Sequence, residues 1–116
     1  MHLHIVTETD IENAERAAEE AKRAAHEAYA AERAVAEAHP VVGPLRRAYE
    51  RTPFGPNALR PTYAAYADAA HVYLPDLIEA YSVALAREHF AAKRLESLRA
   101  LRASQQAEST AAEVAS

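Results

Sequence analysis

Residues able to do chemistry are sparse in this chain and seldom adjacent. It has six histidines, six tyrosines, eleven arginines and no cysteine. Without cysteine there are no disulfides, thiol nucleophiles or thiolate metal sites. His2 and His4 project to one side of an extended stretch and could supply two metal ligands. A metal site takes three or four, and nothing nearby completes the set, so they read as solvated side chains. Asp68-Ala69-Ala70-His71 is a distant relative of the Glu-x-x-His pattern of di-iron helical proteins, and no helix carries the pattern itself. Glycine-rich phosphate loops and nucleophile elbows are also missing. The expectation is a protein that is not an enzyme, with no cofactor and no metal.

Two constellations remain. His26 and Glu88 fall level with each other if the two long helices predicted below pair antiparallel, and Glu88 stands where a seam calls for alanine or leucine. A buried, hydrogen-bonded His26–Glu88 pair is the reading, acting as a specificity contact sensitive to pH. The second constellation gathers Arg46, Arg47, Tyr49, Arg51, Phe54, Arg60, Tyr63 and Tyr66. Arginine and tyrosine anchor protein interfaces, and they also suit nucleic-acid phosphates and bases. The chain is acidic overall, with net charge −4 and a pI near 5.8, and the footprint is short, so a protein partner is the first reading and nucleic acid the alternative.

The elements that must position these residues are helical. From Thr7 to Ala38 the positions Ala14, Ala17, Ala21, Ala24, Ala28, Ala31, Val35 and Ala38 follow alternating spacings of three and four. A second row, Ile11, Ala18, Ala25 and Ala36, lies beside it, so the apolar arc is too wide for one partner helix. The row Ala14, Ala17, Ala21, Ala24, Ala28, Ala31 and Val35 is read as the interface. Thr7 reads as the N-cap, with Asp10 at the third helical position and Val6 and Ile11 spaced as a hydrophobic staple.

His39 to Pro61 holds five of the six prolines and both glycines and reads as a connector, with a short helix opening at Pro44. A helix is expected over 62–73, then a break or sharp kink at Pro75. A second long helix should run over 75–103, its seam formed by Leu77, Tyr81, Ala84, Ala91, Leu95 and Leu98. Residues 1–6 read as an extended arm and 104–116 as a flexible tail. The fold class is therefore all-α: a long antiparallel, alanine-rich helical hairpin with a proline-rich connector and a short third helix, 7–103 forming a single helical domain that completes a bundle by oligomerisation.

Composition gives the motive for that last step. Thirty of the 116 residues are alanine, while leucine, isoleucine, valine and phenylalanine total 21, a thin supply for an independent core. Residues 1–40 carry nine acids against four bases, and 41–61 one against four, so copies can attract each other head to tail. No apolar run is long enough to span a bilayer and Met1-His2-Leu3-His4 lacks the pattern of a signal peptide. The expected protein is a non-enzymatic structural or adaptor protein working through helix–helix contacts with itself or a larger assembly, cytoplasmic or virion-associated. The excess of arginine over lysine amid so much alanine fits a phage or bacterial assembly component. Alternatives are a small nucleic-acid-associated regulator using the connector arginines, and an inhibitor or antitoxin-like binder of a host protein.

Overall fold

The computed structural model describes residues 4–52 and 60–115. Four helices follow one another: α1 (Glu8–Ala38), α2 (Val42–Glu50), α3 (Pro61–Tyr73) and α4 (Pro75–Ala115), with no strand among the described residues. The expected all-α class holds, and in each of two compact units a stretch of α1 runs antiparallel to a stretch of α4, hairpin fashion. One unit contains the chain up to Arg23 and from Leu85 onward; the other is Ala24–Ala84. The stretch 7–103, expected as a single helical domain, contributes to both units.

In the first unit, α1 starts where its capping residues dictate. The Asp10 amide donates to Thr7 Oγ1 at 3.2 Å and the Thr7 amide to Asp10 Oδ2 at 2.9 Å, a reciprocal cap that satisfies two otherwise unpaired donors. Val6 and Ile11, both buried, close the staple around it. The packed seam is Ile11, Ala14, Ala18 and Ala21 on α1 against Glu88, Ala91, Leu95, Leu98, Arg102 and Gln105 on α4, all buried or half-buried at three-and-four spacing. Two ion pairs accompany the antiparallel order: Arg102 with Glu8, and Arg99 with Glu15 at 3.7 Å.

Here α4 overturns the expected tail. The helix runs on to Ala115 because alanine, glutamine and glutamate are strong helix formers. Gln105 also fastens it: its Oε1 accepts from the Val6 amide and its Nε2 donates to the His4 carbonyl, both at 2.8 Å. The extended stretch at residues 4–6 is held by these bonds.

In the second unit the core is Ala36, Val42, Ala70 and Leu74, with Tyr66, Ala69, Leu77 and Ile78 packed on it. α2 begins two residues before Pro44, because His39 Nδ1 accepts from the amides of both Val41 and Val42 at 3.1 Å. Gly43 lets α2 close on the end of α1: a Cβ there would stand 2.7 Å from the Glu37 carbonyl oxygen. At Pro75 the chain breaks. Leu74 leaves helical geometry at φ −131° and ψ 45°, its amide ends α3 on the Ala70 carbonyl, and its carbonyl starts α4 by accepting from Ile78. Pro75 takes the first helical position, where its missing N–H is not needed.

Candidate functional site

The seam of α1 in the second unit is Ala25, Ala28, Glu32 and Ala36, so an acid sits where the surrounding pattern is alanine. α2 brings Arg46 to it. Glu32 is 3% exposed and Arg46 4%, and Arg46 Nη1 donates to Glu32 Oε2 at 2.8 Å and Oε1 at 3.0 Å. The same nitrogen reaches the Tyr66 hydroxyl of α3 at 3.0 Å, and Tyr66 in turn donates to Glu32. Arg46 Nη2 donates to the Tyr29 hydroxyl at 3.3 Å and Nε to Glu50 at 3.2 Å. Its guanidinium carbon also lies 5.7 Å from the Tyr29 ring centre and 5.5 Å from that of Tyr66, within cation–π range.

The electrostatics follow from this packing. Burial alone would lower the Arg46 pKa, but the Glu32 hydrogen bond, Tyr66 and the Glu32 charge outweigh it and hold it above the ordinary value. Burial, then the hydrogen bond and charge of Glu32, push the Tyr66 phenol above its usual range. Glu32, Arg46 and Tyr66 are hydrogen-bonded to one another, so the arrangement ties α1, α2 and α3 together.

The basic and aromatic cluster read from the sequence is therefore largely folded inward. Tyr49 stacks on Tyr66, with ring centres 5.8 Å apart and planes within 5°, and meets Tyr63 at 5.3 Å. Arg60 lies over the Tyr49 ring at 5.1 Å and donates to the Thr52 carbonyl at 2.5 Å. Arg47 and Arg51 are exposed, and Phe54 falls outside the described residues. Of the seven described residues of that cluster, Arg46 is enclosed, Tyr49, Arg60, Tyr63 and Tyr66 are half-buried, and Arg47 and Arg51 are exposed.

The predicted interface row divides as well. Ala14 is buried and Ala21 and Ala28 are half-buried, whereas Ala17, Ala24, Ala31 and Val35 are exposed. The packed seam has rotated toward the second row of Ile11, Ala18, Ala25 and Ala36, because Glu32 must turn inward to meet Arg46. His26 is exposed by the same rotation, so it is not the buried half of a polar pair; Glu88 is half-buried on α4.

Sequence reading missed Glu32. The signal was present: the second row, read on from Ala25, meets an acid at position 32 before reaching Ala36. His2 lies outside the described residues, and His4 Nε2 contacts Asp10 Oδ2 at 2.9 Å. The Thr7 amide first and then His4 hold the Asp10 carboxyl below its usual value. Among the described residues no three His, Asp or Glu side chains are grouped to hold a metal, and no helix is long and apolar enough to cross a membrane. Comparison with protein-family models, curated proteins and solved structures finds no match to this chain.

Proposed function

We propose that this chain is a non-enzymatic structural or adaptor protein that works by docking its helices against helices of other polypeptides. The observation that carries the reading is the exposed row on α1, Ala17, Ala24, Ala31, Val35 and Ala38, which keeps coiled-coil spacing beside a seam that is already packed. Alanine at such positions gives a helix little to bury alone but lets a second backbone come close, near the short end of the usual ~8–10 Å. A role within a phage or bacterial assembly is consistent with this surface and with the composition.

The test is site-specific photo-crosslinking of the full chain inside cells that make it, with the photoreactive side chain at Ala31 or, as control, at Ala30 on the outer face. Adducts from position 31 and none from 30 are expected, whether the captured polypeptide is the chain itself or another. Equal or absent labelling at both would overturn the reading.

A further inference from the structure

One face of the first unit is divided in shape and charge. A shallow cleft between the two helices is lined by His4, Asp10, Asn13, Ala14 and Ala17 on one side and Arg94 and Leu98 on the other. Arg94 therefore marks which side of α4 faces the same way as Ala17. Helical spacing carries Phe90, one turn before Arg94, and Leu101, two turns after it, onto that side. Phe90 is 69% exposed and Leu101 46%. Single exposed apolar residues need no explanation, but two large ones aligned on a face beside an alanine do.

Charge on this face is divided. Spacing adds Glu20 to the Asp10–Asn13–Ala17 row of α1, and Arg87 to the Phe90–Arg94 row of α4. Asp10 is paired with His4, while Glu20, Arg87 and Arg94 have no ion pair among the described residues. The α1 edge carries Asp10 and Glu20, with Arg16 bonded to Asn13 beside them, and the α4 edge carries Arg87 and Arg94, with small and large apolar residues on opposite sides of the midline.

A surface with that left–right asymmetry is complementary to itself. A two-fold axis running along the helices lays α1 of one copy over α4 of the other. Acid then covers base, and Phe90 comes level with Ala21 of the other copy. We infer that this face of the first unit binds a second copy of the chain, Glu20 of each copy meeting Arg94 of the other. The inference rests on the helix-docking reading above and names its partner.

Sedimentation equilibrium of the full chain across micromolar concentrations tests it. A reversible dimer is expected, with Phe90→Ser raising its dissociation constant about tenfold or more while helicity is unchanged, since the ring is exposed in the monomer. Arg94→Glu and Glu20→Arg should each weaken self-association by placing like charges opposite one another. Mixed in equal amounts, the two variants should associate more tightly than either alone, because every contact is again between opposite charges. A monomer throughout, or a dimer indifferent to Phe90→Ser and not restored by mixing, overturns the proposal. Crosslinking from Ala31, in the other unit, reads independently: adducts to a different protein alongside a monomeric chain would remove the second copy and leave helix docking standing.

Discussion

Arg46 is the residue whose replacement should matter most to folding. Arg46→Ala leaves the Glu32 carboxylate 3% exposed without its cation, and breaking a buried pair by removing one partner costs about 3–5 kcal/mol. Denaturant unfolding followed by circular dichroism should show that loss. Arg46→Met combined with Glu32→Leu should recover much of it, because no charge then remains buried. Tyr66 gives a second prediction. Its folded pKa is raised, so the folded state holds the phenolic proton to higher pH than the unfolded state does. Its contribution is complete below the unfolded tyrosine value of about 10 and is lost as pH rises through the folded value. Stability should therefore fall in alkali, and Tyr66→Phe should reduce the slope; equal slopes for the two proteins would rule this out.

At the scale of elements, boundaries are set by a few side chains. Thr7→Ala removes the reciprocal cap and should destabilise the first unit by about 1 kcal/mol. Gly43→Ala poses opposing effects: alanine favours a helix by about 1 kcal/mol. The added carbon, however, would meet the carbonyl oxygens of Glu37 at 2.7 Å and Ala36 at 3.1 Å, both backbone atoms that cannot swing aside. The clash should win, with a net loss of about 1–3 kcal/mol as α2 is pushed off α1. Gln105→Ala should free residues 4–6, read as faster amide exchange at Val6 with α1 unaffected. The helices were mostly legible: Thr7, Pro40, Pro61 and Pro75 mark their ends by local chemistry that acts without tertiary contacts. The run of α4 beyond Ala103 was not, because Gln105 shows its role only once the chain has folded back against His4 and Val6.

Across the whole molecule, what the sequence hid was rotation. A heptad pattern gives the spacing of a seam but not which of two adjacent alanine rows faces inward, since one methyl group resembles another. Glu32 breaks the tie through a partner fourteen residues away. The same side chain explains why the arginine and tyrosine cluster looked like a docking patch: the residues that anchor interfaces between proteins are also those that anchor helices within one. The exposed row left by this choice gives a further expectation. If the face of the first unit binds a second copy, the melting temperature should rise with protein concentration, and Phe90→Ser should flatten that rise.

The knot around Arg46 also has a bearing on how the second unit comes apart. Glu32, Arg46 and Tyr66 belong to three different helices, and none can keep its partners if any one helix departs. Fraying of α2 alone would leave the Glu32 carboxylate buried without its cation, held only by the Tyr66 hydroxyl, so partial opening is penalised more than complete opening. The slowest-exchanging amides of α2, α3 and the second half of α1 should then share one opening free energy, the unit behaving as a single cooperative block despite having so few large side chains.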